Sequence, residues 1–294
     1  MTIGPAVGPL SVVAVHGVGN SFGADLSDSR TEELRALRSA AWARELSSGL
    51  GIEPDRFDLD FAYYADHLRG GPVRQGMQDG FEDALAQDLF DAWARELQVP
   101  REVSQGHATV PLRAFSGWLA RRFDLAEGPL RVFIRMLFPE VAAYLRAEDD
   151  PQRVAAREAV AARIARHRPR VVIAHSLGSV VAYEALHAHP ELRPELFLTI
   201  GSPLALPRAV FERLLPSPQG VAPALRGACP PGVARWVNIS DPGDPVAIPP
   251  GLGGFFDGIA LDHTTVVGFH FDFHHAKNYL RSSTTAATLA PYLG

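Results

Sequence analysis

The chain is poor in several things that decide what a protein can do. One of its 294 residues is cysteine, Cys229, so no intramolecular disulfide can form and nothing points to an oxidising compartment. Lys277 is its one lysine, and every other basic residue is arginine. Positive charge is not in excess: 28 basic against 33 acidic residues leave a net charge of −5, which removes any whole-molecule attraction to nucleic acid. No apolar run approaches the ~20 residues of a membrane span. Residues 1–15 have no basic residue ahead of their apolar stretch and no small-residue cleavage site, so they do not read as a secretory leader. The expectation is a cytoplasmic protein without a transmembrane segment, a nucleic-acid partner or a cofactor.

What remains suits a globular enzyme, with 47% hydrophobic and 21% charged residues. Leu10–Val15 is a short β-branched run that ends in the glycine-bearing His16-Gly17-Val18-Gly19-Asn20, a buried strand running into a loop. Leu34, Leu37, Ala41 and Leu46 mark a helix over 31–50 that stops at Gly49 and Gly51, and 57–63 alternates like a strand. From about Val73 to Arg168 only helical periodicity is visible. Phe81, Leu85, Leu89, Trp93 and Leu97 form one stripe, and Leu112, Phe115, Leu119 and Phe123 a second; 130–145 and 151–167 continue the pattern. That is too much for one crossover, so most of it is expected to be an insertion over the sheet, with its last helix serving as the crossover. Strands are expected again at 170–174, 196–200, 235–239 and 263–273, with a Pro/Gly-rich surface loop at 216–231. The fold class is α/β: one domain, 1–294, with a mostly parallel central sheet, helices on both faces and a helical cap at about 73–168.

Val171-Val172-Ile173-Ala174-His175-Ser176-Leu177-Gly178 combines a β-branched run, a serine flanked two residues away on each side by small residues, and then a helical pattern. A serine at the apex of a tight strand–helix turn has its hydroxyl pushed above the sheet, and Ala174 and Gly178 let strand and helix approach each other. The backbone N–H of Leu177 would then face the site as an oxyanion donor. The plainer alternative is that Ser176 is an N-cap, which does not require the small neighbours.

Ala174-His175-Ser176-Leu177-Gly178-Ser179, with Val15-His16-Gly17, Thr199-Ile200-Gly201-Ser202-Pro203 and Asp241-Pro242-Gly243-Asp244-Pro245-Val246, resembles the α/β-hydrolase superfamily in its lipase- and esterase-like members. The match spans nearly the whole sheet and leaves the helical insertion uncovered, and alanine replaces the usual first glycine of G-x-S-x-G. The resemblance implies a triad in the order serine, acid, histidine. Asp244, in an Asp-x-Val turn, is the preferred acid, with Asp241 as the alternative. His274 is the preferred base and His275 the alternative, with Tyr279 following. His263 is expected to open the last strand. Gly17 and Val18 sit where the second oxyanion N–H is supplied, and His16 is expected to shape that loop, as His175 is to serve a structural role.

His270, Asp272 and His274, on one face of an alternating run and with His275 nearby, have ligand types suited to zinc. The triad already uses one of them, and no metal is expected. The leading expectation is a serine hydrolase that cleaves a carboxylic ester of a small, apolar acyl substrate through an acyl-enzyme. The alternatives are a thioesterase, acyltransferase or cyclase with the same triad, and then a non-catalytic binding protein. Arg113, Arg121, Arg122, Arg131 and Arg135 on the cap are read as a solvated face, with a site for an acidic substrate, a carrier protein or an anionic membrane surface as the second reading.

Overall fold

A strand buried on both sides must be apolar at every position, and its side chains then divide between two cores. The first strand does this. In a computed structural model describing residues 8–23, 26–68, 80–104, 110–268 and 274–293, Val13 and Val15 face one core and Leu10, Val12 and Ala14 the other.

The strands are β1 (Leu10–Val15), β2 (Phe57–Ala62), β3 (Val171–His175), β4 (Leu196–Ile200), β5 (Gly227–Ala228), β6 (Trp236–Ser240), β7 (Phe256–Asp257) and β8 (Ile259–Thr264). Six form one sheet in the order β2-β1-β3-β4-β6-β8, each pair parallel; β5 and β7 make a small separate pair. The helices are α1 (Asp28–Leu50), α2 (Ala84–Glu96), α3 (Arg101–Ser104), α4 (Leu112–Phe123), α5 (Glu127–Leu145), α6 (Pro151–His167), α7 (Leu177–Ala188), α8 (Ala276–Arg281) and α9 (Ser283–Leu289). On one face of the sheet Trp42 and Leu46 of α1 join Tyr279, Leu280 and Leu289 of α8 and α9. The other face carries α7, α6 and the α2, α4 and α5 layer. The fold is therefore α/β with helices on both faces, and no described helix is long and apolar enough to cross a membrane.

The chain leaves β1 toward β2 on one side and resumes with β3 on the other, so strand order reverses between β1 and β3. Loops leaving the carboxyl ends of two such strands diverge and open a crevice. Here they are the segments that begin at His16 and Ser176. α6 packs on β1, β2 and α7, as a crossover must, while α5 packs on α2, α4 and α6. Glu184 of α7 clamps these helices together: buried, it accepts from Arg153 Nε of α6 at 3.0 Å, Tyr144 Oη of α5 at 2.8 Å and the Leu215 N–H at 3.1 Å.

Two expectations need correcting. The last strand is Ile259–Thr264, not 263–273: His263 lies near its end, the Thr265 N–H makes one last bond to Ser240 O at 2.9 Å, and 269–273 lie outside the described residues. β8 is an edge strand with mostly exposed side chains, so it lacks the apolar alternation by which a strand is recognised. The buried face of α1 is also turned from the expected stripe. Leu37 is 58% exposed, while Arg35 is buried, donating to Phe61 O at 3.0 Å and pairing with Asp60 at 2.7 Å. A buried guanidinium with full partners takes a place that periodicity assigns to leucine. The cap's expected start, Val73, lies outside the described residues.

Candidate functional site

Ser176 follows β3 directly, and its N–H still bonds Ile200 O of β4 at 3.2 Å, so the turn begins inside the ladder. Its backbone has φ 55° and ψ −133°, a region L-residues rarely occupy. Ser176 occupies the N-cap position of α7, yet its side chain makes no capping bond. The hydroxyl instead meets His274 Nε2 at 2.7 Å. The Ser179 hydroxyl does the local work, donating to Ser176 O at 2.6 Å.

Close approach explains the small residues. A Cβ on Gly178 would lie 2.2 Å from His16 O and 2.7 Å from Val15 O, both backbone atoms of β1 and its exit. A Cβ on Gly17 would lie 2.6 Å from Ser176 Cβ. The loop after β1 and the start of α7 therefore touch at the serine. Leu177, first residue of α7, has an N–H without an acceptor inside the helix.

His274 Nδ1 lies 2.7 Å from Asp244 Oδ2. A carboxylate only accepts, so Nδ1 carries the hydrogen and Nε2 of the neutral ring accepts from Ser176. Asp244 Oδ2 also accepts from Tyr279 Oη at 2.8 Å, and Oδ1 from the Val246 N–H at 2.9 Å. Asp241 serves the loop instead: Oδ1 accepts from Gly243 N–H at 2.8 Å, and Oδ2 from Val267 at 2.9 Å and Gly268 at 3.2 Å. Tyr279 joins the two turns by accepting from the Asp241 N–H at 3.2 Å, and burial pushes its phenol well above the ordinary range. His275 is the N-cap residue of α8 and lies outside this Ser–His–Asp chain.

His16 is buried, its Nδ1 2.7 Å from Gly17 O and its Nε2 3.3 Å from the Tyr64 N–H. A carbonyl only accepts and an N–H only donates, so the ring is the neutral Nδ1–H tautomer, and burial pulls its pKa down to about 4. Tyr64 stacks on it at 4.2 Å and donates from Oη to His16 O at 2.8 Å. Asn20 Nδ2 donates to Gly17 O and Val18 O, both at 3.1 Å. The loop is thus held by its own side chains. His175 lies with its ring 4.7 Å from that of His274, and burial holds its pKa well below the ordinary value.

Ser176 has no solvent exposure, and Asp244 and His274 are buried. Phe133 of α5 covers His274, ring centroids 5.4 Å apart, and Trp93 of α2 donates from Nε1 to Pro245 O at 2.6 Å. Beside Leu177 a wholly apolar slot of about 20 Å³ is lined by Trp93, Leu137, Phe138, Leu206 and Val246 among others. On the other side of His274 a groove of about 300 Å³ runs between Arg122 and Phe123 of α4 and Val266–Gly268. Among the cap arginines, Arg122 donates to Leu97 O at 2.9 Å and lies over the Trp118 ring, and Arg131 pairs with Glu127.

Among the described residues no group of histidines, cysteines and carboxylates could hold a metal; His270 and Asp272 of the zinc reading lie outside them. Glu140, which grips the loop after β1, was missed, although a lone carboxylate in Leu137-Phe138-Pro139-Glu140-Val141 is a signal by itself. No protein-family model matches the chain, and neither a curated protein nor a solved structure matches it.

Proposed function

We propose that this chain is a serine hydrolase of the α/β-hydrolase type that cleaves the carboxylic ester of an apolar acyl group. The observation carrying this reading is the chain of two 2.7 Å hydrogen bonds from Ser176 Oγ through His274 to Asp244 Oδ2, with the serine on a left-handed turn at a strand-order reversal. An N-cap or a buried structural serine requires neither the strained turn nor an oriented imidazole.

In this mechanism Ser176 Oγ attacks the ester carbonyl as its proton passes to His274 Nε2, and Asp244 holds the imidazolium through Nδ1. The tetrahedral oxyanion rests on the N–H groups of Leu177 and Val18, with the start of α7 adding its dipole. His274 returns the proton to the leaving alcohol, and water repeats the sequence on the acyl-enzyme. The neutral His16 has no proton to exchange near neutrality; it holds the loop that presents Val18. The slot beside Leu177 has the apolar lining an acyl chain needs but room for about one water, and the groove of about 300 Å³ past His274 is the larger space for substrate.

A fluorophosphonate probe tests the core of this reading. Wild-type protein should label, and folded Ser176→Ala protein should not; equal labelling of the two, or none of either, overturns it. A panel of p-nitrophenyl esters and thioesters of graded chain length then separates ester hydrolysis from thioester chemistry.

A further inference from the structure

The loop that carries Val18 is held from below by its own side chains and from above by α5. Gly19 N–H donates to both carboxylate oxygens of Glu140, each at 3.1 Å, and Glu140 lies 121 residues away in sequence. One helical turn earlier, Met136 presses on the same residue: a Cβ on Gly19 would lie 2.5 Å from Met136 Cε. Gly19 has φ 72°, so the chain reverses there, one residue past Val18 and two past the Gly17 that touches Ser176. A continuous path thus runs from a cap helix through Gly19 and Gly17 to the serine.

Glu140 is otherwise an expensive residue at this place. Desolvation raises its acid to about 7 even with the Gly19 N–H pulling the other way. Tyr64, from the segment after β2, is the other titratable group facing it, and Tyr64 is itself hydrogen-bonded to His16 O. Ordinary packing at this place would be met by leucine or glutamine without the desolvation penalty.

Resting on the serine-hydrolase reading, we propose that Glu140 is a positioning residue: it couples the seating of α5 to the shape of the oxyanion loop, so that the Val18 N–H is aimed only while the cap helix is in place. Its effect should fall on the transition state, where the oxyanion exists, and not on ground-state binding.

The test compares Glu140→Leu, which keeps bulk and loses the acceptor, with Glu140→Gln, which keeps an acceptor oxygen. Turnover of a p-nitrophenyl ester is measured per site titrated with fluorophosphonate, alongside amide hydrogen exchange at residues 16–20. The expected result for E140L is a kcat about tenfold lower or more, since removal of a whole oxyanion donor costs about 10²–10³. KM should stay within about threefold, exchange in the loop should be faster, and E140Q should recover most of kcat. Wild-type kcat in E140L, equal losses in both variants, or a loss carried wholly by KM would overturn the proposal. If neither variant folds, Met136→Ala with unchanged loop exchange would overturn it too, because α5 would then not be what holds the loop. Wild-type protein that neither turns over nor labels removes the hydrolase reading and this inference together; labelled wild type with an indifferent E140L removes this inference alone.

Discussion

The clamp around Glu184 provides a measure of what holds the helical layer to the sheet. Glu184→Ala would leave Arg153 with its side chain 3% exposed and no carboxylate partner. Arg213 O, 2.7 Å from Arg153 Nη2, would be its remaining described hydrogen-bond acceptor. Tyr144 Oη and the Leu215 N–H would lose their acceptor in the same step. Breaking a buried pair from one side costs about 3–5 kcal/mol, chiefly from the stranded charge. That is a large share of a domain's ~5–15 kcal/mol. At roughly 2–4 °C per kcal/mol for a chain somewhat smaller than this one, the midpoint should fall on the order of 10 °C. Urea unfolding should show a lower midpoint at an unchanged m-value. The double variant Arg153→Met with Glu184→Leu should recover the part due to the stranded charge, while Tyr144 Oη and the Leu215 N–H stay without their acceptor. A loss under about 1 kcal/mol in the single variant, or no recovery in the double one, would refute this account.

Two further predictions concern the site. Asp244→Asn should lower turnover by up to about 10⁴-fold, because an amide in place of the carboxylate favours the wrong His274 tautomer. Asp241→Asn should leave turnover within a few-fold while loosening the loop at Val267 and Gly268; steady-state kinetics with thermal melts would separate them, and the reverse pattern would exchange their roles. His16 predicts a pH dependence of stability. Its pKa is about 4 folded against 6.5 unfolded, so the unfolded chain takes up the proton first as pH falls. The contribution of His16, about 3 kcal/mol, should be complete above about 6.5 and lost toward 4, while Glu140, whose acid burial raises to about 7, contributes in the opposite sense as pH falls. His16→Asn should lose less stability than wild type on acidification across that window, and identical pH profiles would place the loss elsewhere.

How much of this was legible depends on whether the cause is local. The β3–turn–α7 unit could be read because sterics within eight residues demand a β-branched run, small flanking residues and a helix. The boundaries of α4 and α6 follow from apolar periodicity and, for α6, from Asp150 and Pro151 at its start. Asp241 and Asp244 are equivalent as turn residues; what separates them is which carboxylate faces a histidine 30 residues downstream. β8 was misplaced because an exposed edge strand lacks alternation while the Phe/His run beyond it has plenty. Arg35 and Glu140 are charges in buried or half-buried places whose partners, Asp60 and Gly19, lie far away in sequence.

Ser176 and His274 both have φ 55°, so both ends of one hydrogen bond sit where side-chain-bearing residues are strained by about 1–3 kcal/mol. Glycine would adopt either backbone without that strain, but would lose the buried hydrogen bonds that the two side chains make. The strain is therefore held in place by the bonds the two side chains make with each other and with Asp244, and a substitution that relaxes one backbone leaves a buried partner stranded.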